Sequence, residues 1–518
     1  MLFRSNDTAT TEIYTDYYTL SLHDALPISV AVTLSLIDYP LGVAWDELVK
    51  LRGVRTGRYA YYHPLFMIDL AQAAALVVHP ADLPSLAQLV RVLGALAGGV
   101  MVFATFSLAR LVLPELPSLA AAAATAVTPL LIVHARLFKE DIFVAAFLVL
   151  ALAALIRLLQ EPAPHRAILL GLLVGLVTGS KYIGMLILPF AVTAILLVPT
   201  PGPERRLLRA ATVTGISIGT FLLLMLPAIR RIDRWRRGVN FELTHSMLGH
   251  DVPLPLRLTW GLFHLRESLW PGLGTPLLAL GLIGLAAPLV AARERRMPLL
   301  LIASFTLLWY AVHEATPLKP FPDFSRYMLP LVPLLIILGS SFIYELSSRW
   351  DRRGAIAAIA VLLASVPALS MSLRINSPDV DPRNVVPPIV AASGARVVFD
   401  RYSDYQLSRT ILGLLSRPTK DVADIVVTSN LAYDRFDFSV PRKGSNSAKR
   451  AAYYRELSSR PHLDVSNGRP TLAYFNPVVR IVALDGSVAR LEKIAADIRA
   501  AAPGLTVRLI DSAPNSKE

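Results

Sequence analysis

The chain contains no cysteine. That excludes disulfides, thiolate metal sites and cysteine nucleophiles, and leaves the compartment undecided. Charge is scarce as well. Asp, Glu, Lys and Arg make up 17% of the 518 residues, against about 25% in ordinary soluble domains. No internal repeat is evident, which argues against a transporter built from inverted halves. No nucleic-acid motif accompanies the net charge of +13. In so apolar a chain that excess of bases points to anionic lipid or phosphate contacts, with no nucleic acid as partner. Residues 1–29 have neither a positive start nor an apolar core, so they are not a signal peptide.

Hydrophobic residues, by contrast, are plentiful, at 54% with a mean hydropathy of +0.51. Several runs reach roughly 17–25 apolar residues, enough to cross a bilayer as helices. The fold class expected is therefore a mainly α, polytopic membrane protein. Before these runs stands Asn6-Asp7-Thr8-Ala9-Thr10-Thr11-Glu12-Ile13-Tyr14-Thr15, and then Thr19-Leu20-Ser21-Leu22-His23-Asp24-Ala25-Leu26-Pro27-Ile28. Both stretches resemble the conceptual translation of a short-read sequencing adapter. Residues 1–29 are expected to be an artefact of assembly, with Val30 to Leu36 a remnant of the first span.

Ten further spans are predicted near 87–112, 117–134, 141–158, 166–180, 182–199, 208–228, 271–292, 298–313, 327–345 and 354–373. With the damaged first helix they make about eleven. Pro64 to Val78 is apolar but short, and reads as a helix lying along the interface. Alternating the connections places short basic loops such as Arg157 to Arg166 and Arg293 to Arg296 on one side, assigned to the cytoplasm. The other side receives nearly every His, aromatic cluster and acid pair.

Six constellations on that side carry the chemistry. Asp46-Glu47 follows the first span; carboxylates there can act as general bases, and also suit a solvated helix start. Tyr61-Tyr62-His63-Pro64 suits an interface and the start of a helix, and Tyr62 and His63 are candidate substrate contacts. His134-Ala135-Arg136-Leu137-Phe138-Lys139-Glu140-Asp141 sets two bases and two acids between two spans. Either it snorkels to the interface, or Arg136 and Lys139 meet a phosphate while an acid such as Asp141 orients them. Lys181 sits between two long apolar runs, where a charge is costly and tends to face a cavity or a partner. The loop with Arg230, Arg231, Arg234, Arg236 and Arg237 suits lipid headgroups. His245, His250 and Asp251 follow it at a spacing that matches no metal-ligand pattern. Last come His313-Glu314, Lys319 and Arg326-Tyr327; a guanidinium opening a span is suited to bidentate phosphate binding.

Taken in order, these motifs resemble the GT-C membrane glycosyltransferases of the protein O-mannosyltransferase-like group, glycosyltransferase family 39, over about residues 30–375. The resemblance implies a polyprenyl-phosphate sugar donor and work on the non-cytoplasmic face. It implies Asp46 as catalytic base with Glu47 as neighbour or alternate. It implies that some of Lys139, Lys181 and Arg326, with Arg136 nearby, hold the donor phosphate. Substrate contacts are then expected from His63, Tyr62, Asp141, His250 and Lys319. The chemistry needs fixed cations at the leaving phosphate rather than a metal or cofactor. The partners expected are the lipid donor, membrane lipid and a glycan, lipid or protein acceptor. A bacterial inner membrane is the expected location.

From about Asn376 the composition changes. Strands are predicted near 395–400, 424–428, 471–475, 478–484 and 506–510, with an amphipathic helix over 487–501, so 376–518 should form a small extracytoplasmic α/β domain with a disordered end. Alternative functions are an oligosaccharide ligase or polymerase using polyprenyl carriers, and a non-enzymatic transporter or flippase.

Overall fold

The computed structural model describes residues 45–57, 59, 61–199, 203–248, 262–316, 323–376, 381–400, 403, 423–437, 446–469, 471–472 and 476–511. The adapter-like residues 1–29 and the remnant first span therefore lie outside the described residues, as do His250 and Lys319.

The membrane part is a helical bundle. It begins with α1 (Trp45–Thr56) and α2 (Phe66–Val78), joined by a loop that holds Tyr61, Tyr62 and His63. The helices α3 (Leu83–Ala109), α4 (Glu115–Ala126), α5 (Pro129–Ala135), α6 (Asp141–Gln160), α7 (Pro164–Ser180), α8 (Ile187–Leu197) and α9 (Arg206–Leu224) follow. After α10 (Ile232–Leu248) come α11 (Thr275–Gly284), α12 (Arg293–Ala315), α13 (Leu331–Leu346) and α14 (Arg353–Asn376). Among the described residues, α3, α6, α9, α12 and α14 are long and apolar enough to cross a membrane. α4 and α5, bent by 59° at their junction, make a sixth candidate when the pair is taken as one span. Four shorter apolar helices stand where further spans are predicted: α7, α8 with the 3₁₀ turn Tyr182–Leu186 before it, α11 and α13.

Two predicted spans are broken, and proline accounts for both. The span expected at 117–134 stops at Val127 because Pro129 opens a new helix and holds Thr128 extended. The span expected at 271–292 splits into Trp270–Leu273, α11 and Ala287–Val290. Each piece opens with a proline in its first turn, and Gly274 turns at φ 77° between the first two.

α6 is apolar all round and buried along nearly its whole length, at the centre of the bundle. α7 packs on α9 through Gly171, Gly175 and Gly179, one helical turn apart. A Cβ on Gly175 would lie 2.5 Å from Thr220 Cβ, so this contact requires a residue without a side chain. Gly94 of α3 does the same for the site: a Cβ there would lie 2.8 Å from the Ala135 carbonyl oxygen, where the segment after α5 crosses α3.

Beyond α14, α15 (Pro382–Ala392) leads into a five-stranded sheet made of β1 (Val397–Phe399), β2 (Ile425–Ser429), β3 (His462–Ser466), β4 (Val479–Ala483) and β5 (Thr506–Ile510). Its order is β1-β2-β4-β3-β5. Only the β1–β2 pair is parallel. On one face α18 (Val488–Ala501) sets Leu491, Ile494 and Ile498 against Val427, Leu463 and Ile481. On the other, Leu457 of α17 (Asn446–Ser458) covers Val426 and Val482. Both faces are covered, so β2 is an uninterrupted buried run rather than an alternating one. α16 (Asn430–Asp437) directly follows β2. Asn476 Nδ2 donates to the Ile375 carbonyl at 3.2 Å, tying the sheet to the end of α14.

Candidate active site

The acidic, basic and aromatic motifs gather at one end of the bundle. α1 brings Asp46, Glu47 and Lys50 there. The side chain of Asp46 lies outside the described residues; its place in α1 is one turn ahead of Lys50. Glu47 is fully buried. It accepts a bidentate pair from Arg91 of α3, Nε at 2.9 Å and Nη2 at 2.7 Å, and the Phe138 N–H at 3.3 Å. Both carboxylate oxygens are thus committed to a clamp joining α1, α3 and the segment before α6.

Lys50 reaches the neighbouring acid, with Nζ 2.6 Å from Glu140 Oε2. Burial pushes the Glu140 carboxyl up, but the charge of Lys50, assisted by that of Lys181, outweighs it and holds the group at about 2. His63 stands among the same charges. Burial pushes its pKa down, helped by Lys50 and Lys181 and opposed by Glu140, so the ring is neutral at pH 7. Its Nδ1 is buried and has no hydrogen-bond partner among the described residues.

Asp141, the first residue of α6, is the centre of the site. Lys181 Nζ donates to its Oδ1 at 2.8 Å, and Arg326 Nε lies 3.3 Å from its Oδ2. All three residues are buried. Among the described residues, two cations thus meet this one carboxylate. Tyr327 backs them: Lys181 Nζ is 4.3 Å and the Arg326 guanidinium carbon 5.1 Å from its ring centre. The His313 ring stacks beside Tyr327 at 5.2 Å and donates Nδ1–H to the Trp309 carbonyl at 2.9 Å. That bond requires Nδ1 to carry a proton.

Lys181 owes its position to backbone geometry. α7 ends at Ser180, Lys181 is extended at φ −157° and ψ 137°, and the chain re-enters the bundle as the 3₁₀ turn. Tyr182 OH donates to the Tyr61 carbonyl at 3.3 Å and accepts from Trp235 Nε1 at 2.9 Å. Tyr62 is exposed and packs on Phe241 of α10, with ring centres 4.6 Å apart. Arg136 and Lys139 are buried in the same segment, and Lys139 is close enough for its charge to act on Asp141.

Of the residues singled out in the sequence, the structure brings Lys181, Arg326 and Asp141 into contact and sets His63 beside them. Arg91 and Lys50 had no assigned role. A lone arginine within a 27-residue apolar helix was the available signal for Arg91.

The oligosaccharyltransferase AglB from Archaeoglobus fulgidus, in complex with an inhibitory peptide and a dolichol-phosphate, aligns at a TM-score of 0.51 and 11% identity, covering 87% of this chain and 73% of that one. ArnT from Cupriavidus metallidurans bound to undecaprenyl phosphate aligns at 0.50 and 13% identity, covering 90% and 98%. The fold is of the GT-C type. Residues 84–229 of this GT-C bundle also match the family model of dolichyl-phosphate-mannose-protein mannosyltransferases. That stretch runs from α3 through α9 and contains Arg91, Glu140, Asp141 and Lys181. No curated protein matches the sequence.

Proposed function

We propose that this protein is an integral-membrane glycosyltransferase. It moves a sugar from a polyprenyl-phosphate-sugar donor to an acceptor on the extracytoplasmic side, in a bacterial inner membrane, with inversion at the anomeric carbon. One observation supports the reading: Lys181 and Arg326, both buried, converge on Asp141, close to the helix that bears the acid pair. Buried charge of that kind is expensive unless something anionic joins it. The GT-C neighbours, one with dolichol-phosphate and one with undecaprenyl phosphate, support a lipid phosphate as that anion.

The chemistry then follows. A hydroxyl or amine of the acceptor attacks the anomeric carbon while Asp46 takes its proton. The bond from that carbon to the phosphate oxygen breaks, and its electron pair leaves with the phosphate. The donor phosphodiester carries one negative charge and the released polyprenyl phosphate gains a second. Lys181 and Arg326 stabilise that new charge, so the leaving group needs no proton. Asp141 holds the two cations in place through their Nζ and Nε atoms. Glu47, closed off by Arg91, fixes α1 and leaves the base role to Asp46. A single displacement gives inversion. No step requires a metal or cofactor.

Membranes containing the protein should transfer label from polyprenyl-phosphate sugars to an acceptor. Asp46→Asn should lower turnover by about 10²–10⁴-fold while donor binding persists. Unchanged transfer by that variant would remove the catalytic assignment.

A further inference from the structure

Helix α10 is not used by the chemistry above, yet it and the turn before it hold the largest cluster of arginines among the described residues of the bundle. Arg230, Arg231, Arg234, Arg236 and Arg237 fall within eight residues at its start, and all five are exposed. Among the described residues none of them meets a carboxylate within 4.0 Å. Asp233 and Glu242 are the acids of the helix.

The arrangement round the helix is ordered. At about 100° per residue, Gly238, Trp235 and Glu242 lie on the side turned to the protein. Trp235 bonds Tyr182, and Glu242 is close enough for its charge to act on His63. Ile232, Val239 and Leu243 lie on one flank, and Arg230, Arg234, Arg237 and Phe241 on the opposite one. Ile232 and Leu243 are exposed, as are Leu222, Leu223, Leu226 and Ile229 in the chain leading to the helix. Such a helix is stable with its apolar flank at the boundary of the acyl chains and its axis at headgroup depth. Arg236, on the apolar flank, reaches the headgroups by extending its long side chain.

We propose that α10 is an in-plane anchor that binds the phosphate headgroups of anionic phospholipid in the leaflet at the site end of the bundle. Charge complementarity selects the occupant: exposed guanidiniums with no carboxylate within 4.0 Å among the described residues match phosphodiesters that lie at the same depth. A zwitterionic surface offers each phosphate with its own cation and competes poorly. The anchor also touches the site. Trp235 holds Tyr182, the residue after Lys181, and Phe241 packs on Tyr62, the residue before His63. Lipid bound to α10 therefore braces two walls of the active site.

The full chain, reconstituted in phosphatidylcholine nanodiscs with or without phosphatidylglycerol, tests this by melting temperature, a readout that needs no knowledge of the sugar. Phosphatidylglycerol should raise the wild-type melting temperature by several degrees. The variant R230Q/R231Q/R234Q/R236Q/R237Q should melt like wild type in phosphatidylcholine and lose the rise. The corresponding all-lysine variant should keep most of it, and salt near 1 M should abolish it in wild type, because screening then acts within about 3 Å. A rise that survives in the glutamine variant or in high salt overturns the proposal. So does an equal rise produced by soluble glycerol phosphate, which would make the surface a site for free phosphate. Should the glutamine variant fail to fold, the salt and lysine arms decide.

Discussion

In the C-terminal sheet, Arg480 meets Asp464 through Nε at 2.7 Å and Nη2 at 2.9 Å, and Arg396 meets Asp424 at 2.8 Å. Each acid has one base, and solvent reaches both pairs. At the end of the helical bundle Asp141 faces two bases, and Glu47 is sealed by one. Those groups are buried. The sheet domain uses charge as a local fastening that water could replace. The bundle keeps charge where water cannot help. There, an even pair such as Arg91–Glu47 acts as a structural joint, and the uneven group, in which two bases meet Asp141 among the described residues, is the proposed anion site.

The largest effect should come from breaking the even pair. Arg91→Ala leaves Glu47 buried and uncompensated, at a cost of about 3–5 kcal/mol. Thermal melting of the reconstituted protein should show it as a large fall or a failure to fold. Replacing both partners, with Glu47→Gln and Arg91→Met, should recover much of the loss, because no charge is then stranded. Equal damage from the single and double changes would show that Glu47 contributes chemistry rather than a joint.

Breaking the uneven group should act on ligand instead. Lys181→Ala leaves Asp141 with Arg326, so folding should survive. Donor binding should weaken by roughly 10- to 100-fold, the worth of one charge-assisted hydrogen bond of about 1.5–3 kcal/mol. Isothermal titration with polyprenyl phosphate measures it. Unchanged affinity, for this variant and for Arg326→Ala, would discredit the phosphate assignment.

The Lys50–Glu140 pair ranks next, and its signature is pH. Glu140 has its carboxyl held at about 2, below the ordinary 4.5, against burial, which alone would raise it. Its stabilising contribution is therefore present above pH 4.5 and lost as pH falls through about 2. Lys50→Met removes the chief opposing charge, so the acid limb of a melting curve should move to higher pH. His63 runs in the same direction: its neutral form is favoured by folding, and that contribution is present above about 6.5 and lost as the pH falls below it.

Much of this end of the molecule could be read in the sequence because the signals are local. Lys181 stands alone between apolar runs, Asp141 opens a span, and Arg326 opens another. Each is costly in a membrane unless it has a partner, so each announced itself. Pairings were another matter. Arg91 and Glu47 are 44 residues apart, and only the close crossing at Gly94 brings their elements together. The broken span after Leu269 was misjudged because apolar length was counted and the prolines at 271, 276 and 288 were not. In the sheet, the helix over 488–501 and four strands stand where the pattern put them. The strand His462–Ser466 was missed because its Asp464 and Ser466 dilute a short run.

The smallest effect belongs to the exposed pair in the sheet domain. A hydrogen bond from the Arg396 side chain holds the Asp424 carboxyl at about 2, with the N–H of the same residue assisting. The sign matches that of Glu140: the contribution exists above the usual aspartate value of 3.8 and fades as pH falls through about 2. The context differs, because both partners sit in water and are screened by salt. Arg396→Ala should thus leave the melting temperature nearly unchanged at physiological salt and give a small fall at low salt near pH 7. At pH 2 the difference from wild type should close. A fall as large as that of Arg91→Ala would mean that the sheet depends on its surface charges, and the contrast between the two regions would fail.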